Sequence, residues 1–304
     1  MRFKFLTLFI FISSVSLQAQ VQFNGLKSVN GTELYFKVIG KGSPLIVIHG
    51  GPGLNQSYFF PYLDALAKNH TLIFYDQRSS GKSALSVQQN MNFHQFALDI
   101  DSIRKIFGYE KINLMGHSWG GLLAAYYATN YPDQVQSLIF CNTVPLSNKF
   151  ENEMIAAFQK KTTAADSLKR TEIMATEEFI EGRTQALEQL MMLTFKTIFC
   201  DSSKLKLLQL RLPENYMVAS MSYYGFAKDL KQYDFYNDLS SLKIPVLIIH
   251  GSCDNIPLKV DEKIQASVKD SKLVVFKESG HFPFIEEPKL FTKTVRKFLK
   301  TKGN

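Results

Sequence analysis

Short apolar runs alternate with longer amphipathic stretches from about residue 34 onward, and this alternation constrains the fold more than any other feature. Continuous apolar runs rich in Val, Ile and Phe are typical of parallel strands that are covered on both faces. Strands and helices in alternation predict an α/β domain with a mostly parallel sheet. The predicted strands are Leu34–Ile39, Pro44–His49, Thr71–Tyr75, Ile112–Met115, Ser137–Cys141, Val246–His250 and Leu273–Phe276, and the predicted helices are Tyr58–Lys68, Phe93–Phe107, Trp119–Tyr131, Leu258–Val268 and Leu290–Lys300.

Two features modify this simple alternation. The short link Gly40–Ser43 between the first two predicted strands suggests an antiparallel hairpin at the edge of the sheet. Residues 146–238 contain no strand-like run and many helix formers, and a segment of this length is too long for a loop. We therefore predict one α/β core formed by residues 20–145 and 239–304, with residues 146–238 as a helical lid.

The first nineteen residues are predicted to be a signal peptide. Arg2 and Lys4 precede the apolar stretch Phe5–Ile12, and the small residue Ala19 follows it. The apolar stretch is too short for a typical transmembrane helix, although an uncleaved anchor is the alternative. We expect export to the periplasm or the medium, with no stable membrane insertion after the signal is removed.

Charge and cysteine content exclude several classes of function. The net charge of +8 is scattered along the chain, so a nucleic-acid partner is not expected. The three cysteines, Cys141, Cys200 and Cys253, allow one disulfide at most and form no Cys-x-x-Cys pair. Whether any of them pair is left open. No metal or organic cofactor is predicted.

The strongest local motif is Gly116–Gly121, which reads GHSWGG between a predicted strand and a predicted helix. A Gly-x-Ser-x-Gly sequence at such a turn holds its serine in a strained conformation with the hydroxyl exposed above the sheet. The glycines remove side chains that would collide in the turn. Ser118 is therefore the candidate nucleophile.

A serine nucleophile needs a base, and the base needs an orienting acid. Asp254 and His281 each follow a predicted strand, at the edge where parallel sheets hold their ligands. Their order along the chain, Ser118 then Asp254 then His281, matches one arrangement of serine hydrolases. Asn142 follows another strand but cannot act as a carboxylate.

A glycine-rich turn, His49–Gly53 with the sequence HGGPG, follows the strand before it. Such a turn lets backbone N–H groups face the nucleophile. The N–H groups of Gly51 and Trp119 are the predicted oxyanion hole. A plain Gly-Pro turn without this role is the structural alternative.

Together, HGGPG, Asp76–Arg78 (DQR), GHSWGG, Gly251–Asp254 and Gly280–Pro283 resemble the α/β-hydrolase superfamily. The resemblance implies a mostly parallel eight-stranded sheet flanked by helices, with a helical cap. HGGPG with DQR and a tryptophan after the serine is similar to the proline iminopeptidases. Asp76 and Arg78 are interpreted as structural charges beneath the site.

The resemblance to iminopeptidases also implies acidic lid residues that bind the substrate's N-terminal ammonium, since a buried cation needs a carboxylate partner. Glu214 and Tyr216 are the predicted substrate-binding residues. Four earlier glutamates are interpreted as an ordinary solvated helix face: Glu177, Glu178, Glu181 and Glu188.

Three functions compete on this sequence. The first is an aminopeptidase that releases N-terminal proline or another small or apolar residue through an acyl-enzyme on Ser118. The second is an ester or lactone hydrolase with the same three residues. The third is a hydrolase fold that only binds a ligand, and an intact Ser118, Asp254 and His281 argues against it. Epoxide hydrolases and haloalkane dehalogenases are excluded because both need an aspartate at the position of Ser118.

Overall fold

The computed structural model describes residues 21–302, so the predicted signal peptide lies outside the described residues. These residues form eight strands: β1 (Val21–Val29), β2 (Thr32–Ile39), β3 (Ser43–Ile48), β4 (His70–Tyr75), β5 (Ile112–His117), β6 (Val135–Cys141), β7 (Val246–Gly251) and β8 (Ser271–Phe276). The strands make one sheet in the order β1-β2-β4-β3-β5-β6-β7-β8. The predicted fold class, a mostly parallel eight-stranded α/β sheet, is confirmed.

The antiparallel hairpin lies elsewhere than the sequence suggested. β2 pairs with β1 and with β4, both antiparallel, while β3 pairs in parallel with β4 and β5. The predicted pairing through Gly40–Ser43 is therefore wrong. The hairpin turn is Asn30-Gly31, where both residues have positive φ, which is the geometry that a two-residue hairpin loop requires. Every pair from β4 through β8 is parallel.

Within residues 21–302, five α-helices lie outside the predicted lid. The first of them begins after Asn92, whose side chain accepts a hydrogen bond from the Gln95 N–H as an N-cap. The predicted helix Tyr58–Lys68 is instead two short 3₁₀ helices, because Pro61 lacks the N–H that a continuous helix needs. The five helices are α1 (Phe93–Ile106), α2 (Trp119–Asn130), α10 (Leu258–Ser267), α11 (Pro283–Glu286) and α12 (Pro288–Lys302).

The predicted lid is helical in the structure. Between β6 and β7 the described chain forms seven α-helices and several 3₁₀ turns. These helices are α3 (Glu151–Lys161), α4 (Ala164–Met174), α5 (Glu177–Ile180), α6 (Thr184–Lys196), α7 (Tyr216–Ser222), α8 (Ala227–Lys231) and α9 (Tyr236–Leu239).

The sheet is covered on both faces, as its continuous apolar runs require. Alternate residues of β3 point into different cores: Ile46 and Ile48 join one cluster, and Leu45 and Val47 join the other. All four side chains are completely buried. This double burial holds β3, β5 and β7 rigidly, so the residues that follow their carboxyl ends are fixed relative to one another. None of the described helices has the length and apolar character needed to cross a bilayer.

One disulfide joins the lid to the core. Cys200, beyond α6, is bonded to Cys253, which follows β7, with their Cα atoms 5.1 Å apart. Cys141 is buried and free. The pairing that the sequence left open therefore attaches the lid next to Asp254.

Candidate active site

The turn between β5 and α2 holds Ser118 in a strained conformation. Its φ is 54° and its ψ is −122°, in a region that residues with a Cβ rarely adopt. A Cβ at Gly116 would overlap the backbone of Gly120, and one at Gly120 would overlap that of β3. The glycines of the motif are therefore required by close backbone packing. The turn leaves Ser118 directly before the first residue of α2.

Asp254 and His281 form a hydrogen-bonded pair. His281 Nδ1 lies 2.7 Å from Asp254 Oδ2, and both side chains are at least nine-tenths buried. The other oxygen of Asp254 accepts the backbone N–H groups of Asn255 and Ile256 at 2.6 and 3.3 Å. Burial alone raises the pKa of Asp254, but the charge and hydrogen bond of His281 and an amide donor lower it below its ordinary value. Asp254 therefore remains ionised and fixes the His281 ring with Nδ1 protonated.

The amide donor to Asp254 is Asn142, which the sequence analysis set aside. Asn142 Nδ2 donates to Asp254 Oδ2 at 2.7 Å and to the carbonyl of Gly280 at 3.1 Å. Its φ of 45° is left-handed, a conformation that asparagine tolerates better than most residues. The signal in the sequence was an asparagine at the carboxyl end of a central strand. Through these two hydrogen bonds, Asn142 joins Asp254 to the loop that carries His281.

A second histidine connects Ser118 to the same loop. His117 Nε2 lies 2.8 Å from the backbone carbonyl of His281, and the two rings are 4.8 Å apart. His117 Nδ1 lies 2.9 Å from the hydroxyl of Tyr58, which also accepts the N–H of Gly50. Burial, followed by the charge of His281, lowers the pKa of His117 well below its ordinary value, so its ring is neutral. His117 thus has a structural role beside the candidate nucleophile.

The glycine-rich turn lies against Ser118. A Cβ placed on Gly50 would be 3.0 Å from the Cβ of Ser118, so only glycine leaves normal space there. Gly51 has a φ of 137°, which favours glycine. Trp119 is the first residue of α2, so its N–H has no partner within the helix. The two predicted oxyanion donors therefore lie on separate segments, one beside the glycine that packs against Ser118 and the other directly after Ser118, the candidate nucleophile.

Gln77 fixes the start of the glycine-rich turn, a role that no sequence motif indicated. Its backbone N–H donates to His49 Nε2 at 3.0 Å, and its side-chain Nε2 donates to the His49 carbonyl at 2.7 Å. Its Oε1 accepts the indole N–H of Trp119 at 3.2 Å. Burial lowers the pKa of His49 to about 4, so the ring is neutral and accepts the hydrogen bond. Gln77 therefore links both segments of the predicted oxyanion hole.

With this geometry in place, comparison with known proteins identifies the family. The sequence matches the profile of a family described as alpha/beta hydrolase fold over residues 43–288. The chain belongs to this family.

Curated relatives of this α/β-hydrolase are named proline iminopeptidase. That of Clostridium botulinum is 27% identical over 280 residues, covering 87% of this chain and 94% of the relative. That of Heyndrickxia coagulans is 28% identical over 290 residues, covering 90% and 98%. The predicted resemblance to this group is confirmed.

Solved structures show the same fold. A proline iminopeptidase of Mycobacterium smegmatis superposes with a TM-score of 0.67 at 21% identity, covering 92% of this chain and 98% of the other. An esterase from Exiguobacterium antarcticum gives a TM-score of 0.68 at 22% identity, covering 91% of this chain and all of the other. At these identities the likeness shows the fold alone.

The remaining residues of the DQR motif, Asp76 and Arg78, are buried in this α/β-hydrolase. Arg78 is buried and bonds both oxygens of Asp99, at 2.5 and 2.6 Å. Asp76 is buried and accepts the backbone N–H groups of Gln56 and Lys82. Both charges are engaged in holding loops, which agrees with their structural interpretation.

The two predicted substrate-binding residues lie in different environments. Tyr216, the first residue of α7, packs over the glycine-rich turn: a Cβ on Gly53 would be 3.6 Å from its ring. Glu214 is exposed at the surface of the lid. Glu188, interpreted as solvated, is half-buried and accepts the N–H of Leu212 at 2.7 Å, so that interpretation is wrong for this residue. Among residues 21–302 no cluster of His, Cys, Asp or Glu has the arrangement that a metal site needs.

Proposed function

We propose that this α/β-hydrolase is a serine aminopeptidase that releases N-terminal proline, or another small or apolar residue, from short peptides. The observation that carries the proposal is the buried Asp254–His281 hydrogen bond beside the strained turn of Ser118. The curated relatives named proline iminopeptidase support the choice of substrate.

In the proposed first half-reaction, Ser118 Oγ attacks the carbonyl carbon of the N-terminal residue while His281 Nε2 takes its proton. Asp254 holds the Nδ1 proton and stabilises the imidazolium. The N–H groups of Gly51 and Trp119 bind the oxyanion of the tetrahedral intermediate. His281 then gives the proton to the leaving amine as the C–N bond breaks, which leaves the acyl group on Ser118.

The second half-reaction reverses these roles with water as the nucleophile. His281 removes a proton from water, the hydroxide attacks the acyl carbon, and the Ser118 oxygen leaves with that proton. No metal or organic cofactor takes part in this scheme, because the protein supplies the base, the acid and the oxyanion donors.

An ester or lactone hydrolase is the second candidate, and the position of Glu214 favours it. An aminopeptidase needs a carboxylate near the substrate's ammonium, because a cation loses its hydration in the pocket. Glu214 is exposed. An ester without a charged amine needs no such partner, and Tyr216 suits an apolar acyl group equally well.

A substrate comparison separates these candidates. Hydrolysis of prolyl- and alanyl-p-nitroanilide is measured beside N-acetyl-prolyl-p-nitroanilide, p-nitrophenyl acetate and p-nitrophenyl butyrate. We expect cleavage of the free-amine prolyl substrate, loss of cleavage on acetylation, and an increase of KM in Glu214→Gln. Cleavage of esters alone contradicts the aminopeptidase.

The control for this comparison is Ser118→Ala. We expect a folded protein with no turnover above the uncatalysed rate. Wild-type turnover in folded Ser118→Ala would contradict the proposed mechanism. A wild type inactive on every substrate would count against both catalytic candidates for these substrates and leave the function open.

We further propose that the protein is exported, to the periplasm or the medium. Support comes from the signal-like residues 1–19 and from the Cys200–Cys253 disulfide, since disulfides persist mainly in oxidising compartments. Mass spectrometry of the protein from its producing cells is expected to find a mature chain that starts at Gln20. An intact Met1 on protein from the cytosol contradicts export.

A further inference from the structure

The base of the lid, residues 198–201, is hydrogen-bonded directly to the loop that carries His281. The backbone N–H of His281 donates to the carbonyl of Ile198 at 2.7 Å. Gly280 leaves no space for a side chain, because a Cβ there would overlap the same carbonyl. The position of His281, the candidate general base, therefore depends on a lid segment that lies more than eighty residues earlier in the chain.

One buried carboxylate binds backbone N–H groups of both segments that make this contact. Glu286 Oε2 accepts the N–H of Gly280 at 2.6 Å, and Oε1 accepts the N–H groups of Cys200 and Asp201 at 2.7 and 3.4 Å. The residue is only 5% exposed. Lys204 donates to its backbone carbonyl. Both oxygens thus accept hydrogen bonds from backbone N–H groups. Oε1 binds those of the lid base, and Oε2 binds that of Gly280, directly before His281.

We propose that Glu286 is a positioning residue, which sets His281 against Asp254 by holding the lid base and the histidine loop on the two oxygens of one carboxylate. It touches neither the substrate nor the reacting atoms. This inference rests on the proposed function, because it assigns the role with respect to His281 as general base.

The chemistry of the carboxylate explains why an amide cannot replace it. A carboxylate accepts on both oxygens and has no donor, whereas an amide presents an NH₂ group on one side. In Glu286→Gln, one of the two sets of backbone N–H groups faces another donor. Either the lid base or Gly280 then loses its acceptor, and His281 moves relative to Asp254 and Ser118.

The neighbouring residue provides a matched control. Glu287, on the same turn, accepts the N–H of Glu278 at 3.2 Å and the hydroxyl of Ser279 at 2.7 Å. It binds the same loop but neither Gly280 nor the lid base. Glu287→Gln therefore tests whether any loss of a carboxylate in this loop has the same effect.

Two readouts are measured on folded protein well below its melting temperature. The first is kcat and KM on the preferred substrate, and the second is the rate at which a fluorophosphonate modifies Ser118, which needs no knowledge of the substrate. For Glu286→Gln we expect both kcat and the modification rate to fall about tenfold with KM unchanged, because a small misplacement of a catalytic group slows the chemical step. Glu287→Gln is expected to stay within about twofold of wild type by the same argument.

The outcomes separate this inference from the proposed function. A wild type that does not react with the fluorophosphonate overturns both. A reactive wild type with an unchanged Glu286→Gln, or with an equal loss in Glu287→Gln, overturns the role of Glu286 alone. Should Glu286→Gln not fold, Glu286→Asp keeps the charge but is too short to reach both donor sets, and it is expected to show the same loss of kcat. Wild-type kcat in Glu286→Asp then counts against the proposal.

Discussion

At the scale of single residues, the charge and hydrogen bond of His281, and after them the amide of Asn142, lower the pKa of Asp254 and keep it ionised. Asn142→Gly removes the amide and keeps a residue suited to the left-handed backbone. A hydrogen bond to a charged group contributes about 1.5–3 kcal/mol, so its loss disfavours the ionised carboxylate. We therefore expect Asn142→Gly to raise the pKa of Asp254, which an NMR titration of its carboxyl group in the folded protein measures.

The same shift has a consequence for stability. The pKa of Asp254 is depressed in the folded protein, so the carboxylate contributes stability above its unfolded pKa and loses it as the pH falls. Asn142→Gly is expected to reduce this contribution at neutral pH. Asn30→Gly is the matched control, since Asn30 also has a left-handed backbone and donates its amide to a buried carboxylate, Asp99. An Asp254 pKa that is identical in all three proteins contradicts the role of Asn142.

Which residues the sequence predicts depends on whether their signal is local. The strained turn at Ser118 was predictable because it needs nearby glycines, and the positions of Asp254 and His281 because each follows a strand. Asn142 and Gln77 act through partners that are distant in the sequence, such as Asn142 on Asp254, and only the folded sheet brings them together. The function of such residues is a property of tertiary contacts, which a local motif does not record.

At the scale of elements, the loop between β8 and α11 has no room for a side chain at Gly280. Gly280→Ala places a methyl group against the carbonyl of Ile198 and pushes the lid base away from the histidine loop. We expect a loss of about 1–3 kcal/mol in unfolding free energy, as is typical of overpacking, and a reduced kcat. Urea unfolding and steady-state kinetics measure the two effects.

The control for this change is Gly25→Ala in β1. A Cβ at Gly25 has only an ordinary contact, 3.6 Å from the Phe23 ring. It is therefore expected to leave both kcat and stability close to wild type. Equal effects of the two substitutions would mean that the tight contact at Gly280 has no special role.

The sequence predicted the type of most elements better than their pairing. Buried strands such as β3 and β7 were found from their apolar runs, but the hairpin was assigned to Gly40–Ser43 instead of Asn30-Gly31. A short link suggests a hairpin only if its two strands lie side by side, and here β4 occupies that place. Register and order depend on contacts between distant segments, which a run of apolar residues does not specify.

At the scale of the whole molecule, two lines of contacts are among those that attach the lid to the core. On one side, three core side chains donate to alternate lid carbonyls: Tyr62 to Leu207, Ser57 to Gln209 and Asn55 to Arg211. On the other side, Ile198 and Cys200 bind the loops of His281 and Asp254. The second line of attachment therefore couples the lid to the candidate catalytic residues.

The disulfide is the covalent part of that second line, and its removal tests the coupling. Cys200 and Cys253 are 53 residues apart in the sequence, and closing a loop of that length stabilises the folded state by about 4 kcal/mol in the chain-entropy treatment. We expect reductant to lower the melting temperature of the wild type and to slow modification of Ser118. The double variant Cys200→Ser/Cys253→Ser is expected to have the melting temperature and modification rate of the reduced wild type. Neither property of the double variant is expected to change on addition of reductant. If thiol labelling shows complete reduction while both properties stay unchanged, the hydrogen bonds of Ile198 and Glu286 hold the lid base without the disulfide.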